Sequence, residues 1–323
     1  MCTAITYQSK DFYFGRNLDL VASYNESVVI TPRNYPFSFR STKGLMNHYA
    51  IIGMAAVAND YPLYYDATNE YGLCAAGLNF PGNAQYFPVV KNKYNVSSFE
   101  LIPWILCQCR NIREANDLLE EVNITDIAYS DQYPVTDLHW IFADRDGCLT
   151  VEQGQDGLKI YDNPVGVLTN NPPFPYHLRN LVNYENLTPC EPTTQNMNLS
   201  NLKPDSLGMG GLGLPGDFSS QSRFARAAYI RNCSNVDRSE DQTVGQFFHI
   251  LDSVSVVDGC VRMDNKNHKT IYSCCMNADK GIYYYKTYHN NQISAVSLSQ
   301  TDLKSNQLIS YPLIKEQQII YQN

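Results

Sequence analysis

Met1-Cys2-Thr3 opens the chain, and its second residue is the first that could do chemistry. Initiator methionine is removed when a small residue follows it, and removal here would leave a thiol and a free α-amine on one residue. A thiol with an unperturbed pKa of about 8.5 needs activation, whereas an α-amine titrating at about 7.7–8.0 is a base close to neutral pH. Cys2 could then be nucleophile and general base together, the arrangement that N-terminal Thr and Ser nucleophiles use. Position alone does not establish this, because a small residue at a frayed chain end satisfies the same observation.

Gly15-Arg16-Asn17-Leu18-Asp19 supplies what such a thiol would need: two opposite charges three residues apart, at the end of a strand able to pair with the one at Thr3 to Tyr7. Arg16 would favour the thiolate, and Asp19 would accept a hydrogen bond from the α-amine. The two act oppositely on the amine, Arg16 favouring its neutral form and Asp19 its ammonium form. The alternative is a surface ion pair worth about 0–1 kcal/mol.

Acyl transfer also needs donors aimed at a developing oxyanion. Gly77-Leu78-Asn79-Phe80-Pro81-Gly82 and Leu168-Thr169-Asn170-Asn171-Pro172-Pro173 each end an apolar strand and each could present an amide at a sheet edge. Asn before Pro or Gly is equally ordinary turn chemistry. Further on, Arg223 or Arg226 could deliver a fixed positive charge from a helix that begins near Ser219.

Other chemistries fit less well. Gly208-Met209-Gly210-Gly211-Leu212-Gly213 matches the spacing of a dinucleotide fingerprint, but no apolar strand precedes it and Leu214-Pro215-Gly216-Asp217 follows where a helix is required. The six histidines form no paired metal motif, Cys107/Cys109 and Cys274/Cys275 lack zinc-site spacing, and no G-x-S-x-G elbow is present. Neither a metal nor a cofactor is expected.

A net charge of -8 without a Lys/Arg cluster argues against nucleic acid as a partner. No stretch approaches the roughly 18 apolar residues of a membrane span, and the N-terminus lacks the pattern of a secretory signal, so a cytoplasmic protein is expected. Most of the ten irregularly spaced cysteines in 323 residues then read as reduced core thiols.

The elements that must position these residues fall into blocks. Strands are expected at Thr3 to Tyr7, Phe12 to Phe14, Ser27 to Thr31, Tyr49 to Val57 and Leu73 to Ala76, followed by helices at Ser98 to Cys109 and Asn111 to Val122. Ser97 with Glu100, and Asn111 with Glu114, have the spacing of capping boxes. A second run of strands, Leu138 to Ala143, Leu149 to Gln153, Leu158 to Tyr161 and Val165 to Thr169, precedes helices at Tyr176 to Tyr184, Arg223 to Asn232 and Thr243 to Val254. Strands return at Thr270 to Cys274, Gly281 to Tyr288, Ile293 to Leu298 and Leu308 to Tyr311. This order indicates an α+β protein of packed sheets with helices outside, not a βαβ repeat. No linker-like stretch divides residues 1–323, so a single domain is expected, with a long loop at Thr188 to Ser222.

Taken together, the segments around Cys2, Gly15 to Asp19, Gly77 to Pro81, Val167 to Pro172, Leu214 to Asp217 and Ser222-Arg223-Phe224 resemble the choloylglycine hydrolase family, within it the bile salt hydrolases of gut bacteria. The resemblance runs in order from residue 2 past Gly281 to Tyr288 and spans essentially the whole chain. It implies an N-terminal nucleophile fold, a four-layer αββα sandwich of two antiparallel sheets between helices. It also implies hydrolysis of the amide joining a bile acid to glycine or taurine through a thioester on Cys2, without a cofactor, in a homotetramer. By the same resemblance Cys2 is nucleophile and base, Arg16 and Asp19 support it, Asn79 and Asn170 build the oxyanion site, and Arg223 completes the polar shell. Penicillin V acylases resemble one another in carrying Tyr where this chain has Asn79, which favours bile salts as substrates. Maturation would need only loss of Met1. An acylase for penicillin V or another N-acyl amide, and a non-catalytic binder of amphipathic ligands, remain the alternatives.

Overall fold

The computed structural model describes residues 1–191, 206–235 and 239–323. Seven strands come first: β1 (Cys2–Gln8), β2 (Phe12–Leu20), β3 (Ser27–Thr31), β4 (Ile51–Ala58), β5 (Tyr61–Asn69), β6 (Cys74–Asn79) and β7 (Tyr94–Ser97). Two short helices, α1 (Leu101–Leu106) and α2 (Ile112–Leu119), lead to β8 (Val122–Thr125), β9 (Leu138–Asp144), β10 (Gly147–Gly154), β11 (Gly157–Asp162) and β12 (Val167–Leu168). Helices α3 (Phe174–Leu181), α4 (Ser220–Cys233) and α5 (Glu240–Asp252) follow, then β13 (Val261–Met263), β14 (Lys266–Asn277), β15 (Ile282–Thr287), β16 (Asn290–Ser297) and β17 (Ile309–Pro312).

Two antiparallel sheets result. One runs β12-β1-β2-β14-β15-β16, with β13 paired to β14; the other runs β11-β10-β9-β6-β5-β4-β3-β17. They stack through a shared core that includes Ala4, Phe14 and Met276 of the first sheet and Ile30, Ile52 and Leu78 of the second. The outer face of the first sheet carries Phe224 of α4 and Phe247 and Leu251 of α5, while a second core joins Ala75 and Phe142 of the other sheet to Leu101, Ile105 and Leu119 of α1 and α2. The four layers are those of the αββα sandwich.

This layering decides the environment of the charged pair. β2 lies in the middle of its sheet, with a sheet on one face and helices on the other, so every residue from Phe12 to Asp19 is buried. Arg16 and Asp19 were expected at the end of a strand; they lie inside one, and the strand pairs with β1 as expected, Cys2 facing Leu18. Gly15 is required there: a Cβ on it would stand 2.0 Å from the Cys274 carbonyl oxygen of β14. Opposite Asp19, β14 changes register between Thr270 and Tyr272, a bulge that re-aims the Thr270 hydroxyl onto the Asp19 carboxylate.

Several expected boundaries shift for identifiable reasons. β5 carried no expectation as a strand; Asn59 and Asp60, at φ 48° and 59°, form the hairpin turn that joins it to β4. The Ser97–Glu100 spacing is not a helix cap: Ser97 ends β7, and the buried Glu100 carboxylate accepts the Ser97 and Arg40 N–H groups. Asn111 does cap α2, accepting the Glu114 N–H at 2.9 Å. α5 begins at Glu240, three residues before the expected Thr243, under a capping box of Ser239 and Gln242. β7 and β8, a short parallel pair, carried no expectation as strands. Part of the expected Thr188 to Ser222 loop, residues 192–205, lies outside the described residues.

Candidate active site

Cys2 starts β1 and is 1% exposed, so the thiol lies inside the sandwich. Its nitrogen, a peptide N–H while Met1 is attached, donates to Asn170 Oδ1 at 2.7 Å. The Met1 amine and carbonyl in turn pair with the Asp19 backbone, at 2.9 and 3.0 Å. Loss of Met1 would turn the Cys2 nitrogen into an amine beside an acceptor already in place.

Asn170 stands where β12 ends, and all its polar groups are engaged. Oδ1 also accepts from Arg223 Nη2 at 2.8 Å, and Nδ2 donates to the Asn79 carbonyl at 2.7 Å. Its backbone N–H donates to Ser220 Oγ and its carbonyl faces His177 Nε2, each at 2.8 Å. The His177 ring is buried, and burial holds its pKa down at about 4. The neighbouring Asn171 turns away, donating to the Pro81 carbonyl.

Arg223, in the first turn of α4, is wholly buried because the small residues Ala227 and Ala228 let the helix lie against β1 and β12. Its Nη1 donates to the Cys2 carbonyl and, at 2.6 Å, to Thr3 Oγ1; its Nε donates to the Phe218 carbonyl at 3.0 Å. Arg226, one turn later, spends its guanidinium on the Ser253 and Pro215 carbonyls instead. The structure thus brings Arg223 to Cys2 and leaves Arg226 fastening loops.

Arg16 reaches across to the other sheet and donates through Nη1 to the Gly77 carbonyl at 2.6 Å and the Tyr65 carbonyl at 3.2 Å. Its Nη2 has no protein partner among the described residues. Burial works against the charge, but Cys2, the Tyr272 hydroxyl and Asp66 outweigh it and hold the guanidinium above its ordinary pKa. Asp19 Oδ1 accepts the Thr270 hydroxyl at 2.7 Å, and Oδ2, without a hydrogen bond among the described residues, lies 4.0 Å from Arg223 Nη1. Burial raises the Asp19 carboxyl against the pull of Arg223, and burial lowers the Arg223 guanidinium against the pull of Asp19. Desolvation outweighs attraction on both sides, so the fold holds this pair in place at a cost in stability.

The Asn79 side-chain amide makes no hydrogen bond among the described residues; the residue is held by its backbone, whose carbonyl Asn170 grips and which pairs with Leu138 of β9. A cavity of about 320 Å³ opens over Cys2, Arg16 and Asn79, walled by Leu18, Tyr65, Phe99 and Tyr133. Tyr24, Leu63 of β5 and Tyr129 line it as well. Wider clefts of about 470 and 480 Å³ lie elsewhere and contain none of these residues. The Gly208 to Gly213 segment holds a single 3-10 turn at Met209–Gly211, where a dinucleotide fingerprint opens a long helix. No group of three or more His, Cys, Asp or Glu side chains among the described residues is arranged to hold a metal ion.

Sequence reasoning missed three groups. Asp66 of β5, fully buried, accepts from the Tyr272 and Tyr283 hydroxyls at 2.5 and 2.6 Å and sits beside Arg16; its strand was not recognised. Thr270 depends on a bulge that no local pattern announces. His139 and Glu152, a buried pair behind the two asparagines, lie on β9 and β10 without a motif. The isolated polar residues in the apolar strands 138–143 and 149–153 were the available signal.

A buried thiol at the start of the first strand of an αββα sandwich, with a polar shell around its own nitrogen, defines the class of N-terminal nucleophile hydrolases. The chain belongs to the choloylglycine hydrolase family of linear amide C–N hydrolases, whose family model matches residues 2–311. It is 52% identical over 319 residues to the bile salt hydrolase/transferase of Lactiplantibacillus plantarum, covering 98% of each chain. A crystal structure of a mutant conjugated bile acid hydrolase from Clostridium perfringens superposes with a TM-score of 0.93 at 35% identity over 100% of both chains. The penicillin V acylase of Agrobacterium tumefaciens shares the fold, with a TM-score of 0.75 at 18% identity over 98% of this chain and 94% of its own.

Proposed function

We propose that this chain hydrolyses the amide of glycine- or taurine-conjugated bile salts, with Cys2 as nucleophile and the Cys2 α-amine as general base once Met1 is gone. The observation that carries the reading is the Cys2 nitrogen, 2.7 Å from Asn170 Oδ1, with Arg223 holding both Asn170 and the Cys2 carbonyl, beside a largely apolar cavity that Arg16 and Asn79 also line. The names of the relatives supply the substrate class.

The α-amine takes the thiol proton, and the thiolate attacks the amide carbon. The Asn79 amide, without a hydrogen-bond partner among the described residues, donates to the oxyanion, while Asn170 orients the α-amine and fixes Asn79 through its carbonyl. Collapse breaks the C–N bond, and the departing glycine or taurine nitrogen takes back the proton that the α-ammonium holds. Water, deprotonated by the same amine, then attacks the thioester, releasing the bile acid and restoring the thiol. Arg16 and Arg223 keep positive potential on the thiol side, and Asp19 counters it beside the amine.

The chain is further read as one folding unit that works in the cytoplasm as a homotetramer. The core shared by the two sheets supports the first statement; no helix among the described residues is long and apolar enough to cross a membrane. Light scattering on the purified protein tests the assembly. The substrate class is tested by offering glycine conjugates, taurine conjugates and penicillin V side by side. Amine release from the bile salts supports the reading; penicillin V as much the best substrate overturns it.

A further inference from the structure

His139 lies wholly inside the sandwich, and its two ring nitrogens face acceptors alone. Nδ1 is 3.0 Å from Glu152 Oε1, and Nε2 is 3.0 Å from the Thr169 carbonyl oxygen. A neutral imidazole carries one N–H and can make only one of these bonds as a donor. Both form at once when the ring is an imidazolium beside a carboxylate. Glu152 fits that role, because the oxygen facing His139 also accepts the Phe174 N–H, at 3.0 Å. Desolvation of a lone buried ion is prohibitive, and a hydrogen-bonded pair of opposite charges is the form in which such ions persist.

The ring is placed to hold both site asparagines. Through Nε2 it fixes the carbonyl of Thr169, the residue before Asn170. Its face stacks on Phe80, the residue after Asn79, with centroids 4.3 Å apart and planes 7° from parallel. Through Glu152 it also ties down the first N–H of α3, the helix whose His177 meets the Asn170 carbonyl. β9 and β10 belong to one sheet and β12 to the other, so the pair bridges the sheets where the site sits.

We infer that His139, held as an imidazolium by Glu152, is a positioning residue that sets the Asn79 and Asn170 amides against the reacting carbonyl. It touches no substrate. The kinetic consequence rests on the amidase reading above, whereas the protonation state does not. The ionisable neighbours are few. Lys159 and Tyr161 of β11 act on Glu152, His177 of α3 acts on His139, and Arg223 of α4 acts on His177. β6 presents Leu78 opposite His139, with no charge. His177 stays neutral through the range used below, since its pKa is held at about 4.

Glu152→Gln tests this without removing an acceptor: the amide oxygen can still take the His139 Nδ1–H and the Phe174 N–H, but the charge that retains the second ring proton is gone. At pH 8 the variant should lose the bond to Thr169, with kcat down about ten- to hundredfold, as expected for a slightly misplaced site, and KM within about threefold. Acidification should restore the second proton, so the ratio of variant to native kcat should recover to within about threefold of unity by pH 5.5. A merely structural lesion would not recover with acid, and a ratio that is flat in pH, or a loss carried by KM, overturns the inference. Independently, the native protein labelled with 15N-histidine should show both His139 ring nitrogens protonated at pH 8, assigned by loss of the signal in His139→Gln. The assignment is needed because the chain carries six histidines. A singly protonated His139 overturns the inference even if Glu152→Gln fails to fold. Native protein that releases no amine from any conjugate would remove the amidase reading and leave the nitrogen spectrum to decide the inference.

Discussion

Asn79→Ala is a clean perturbation of the proposed chemistry because the side chain supports nothing else. Its amide has no hydrogen-bond partner among the described residues, while the backbone carbonyl that anchors Asn170 at 2.7 Å survives the substitution. Strand pairing to Leu138 is likewise a backbone property. No buried group is therefore left unsatisfied, and the stability change should resemble that of a surface substitution, within about 0.5 kcal/mol. At about 2–4 °C per kcal/mol for a chain somewhat smaller than this one, the midpoint of thermal unfolding should move by about 2 °C or less. One donor to a developing oxyanion contributes about 2.7–4 kcal/mol in the transition state, so kcat should fall about 10²- to 10³-fold. The donation strengthens only as charge develops, so KM for a glycine conjugate should change little. Steady-state release of free glycine, with calorimetry on the same sample, measures both. A kcat loss below about fivefold would remove Asn79 from the oxyanion site, and a midpoint fall above about 5 °C would show that the side chain supports the fold.

Three other outcomes follow from burial. Burial raises the folded-state carboxyl of Asp66, so its ionisation costs stability once pH rises above its unfolded value; Asp66→Asn should therefore raise the unfolding midpoint more at pH 8 than at pH 4, and a larger gain at pH 4 would contradict the assignment. His177 behaves oppositely as a base kept neutral: its contribution is present above about pH 6.5 and lost as pH falls toward about 4, so His177→Asn should show a shallower fall in midpoint across that interval. Gly15→Ala forces a Cβ to 2.0 Å from a backbone oxygen of β14, and chemical denaturation should report a loss of about 1–3 kcal/mol or more, with activity falling as Arg16 is displaced.

The sandwich was legible because its strands are apolar in blocks and its helices fall between them, and most elements appear within a few residues of where periodicity puts them. The exceptions share a cause. Arg16, Asp19 and Asp66 are charges inside strands, which local propensity reads as strand ends or loops; only the stacking of two sheets under helices makes a buried charge possible there. Cys2, Asn79, Asn170 and Arg223 are separated by up to 221 positions, and no spacing rule joins them; the family motifs named them, and the pairing of β1 with β12, with β6 stacked on one face and α4 packed on the other, explains how they meet. The choice of Asn170 over Asn171 and of Arg223 over Arg226 came from motif position, and the hydrogen bonds give each neighbour a different task. His139 and Glu152 meet across β9 and β10 and hold the Thr169 carbonyl and the Phe174 N–H, so no motif joins them, and their polarity inside apolar strands is the only sign they leave in the sequence.

The central claim is that the working base is the α-amine of Cys2, which exists only after Met1 is gone. Preparations with and without Met1, distinguished by intact mass, can be compared for release of glycine from a conjugated bile salt. Turnover should scale with the fraction of chains that begin at Cys2, and chains that retain Met1 should be inactive although folded, because their Cys2 nitrogen is an amide already bound to Asn170. Equal turnover from chains that retain Met1 would contradict the claim.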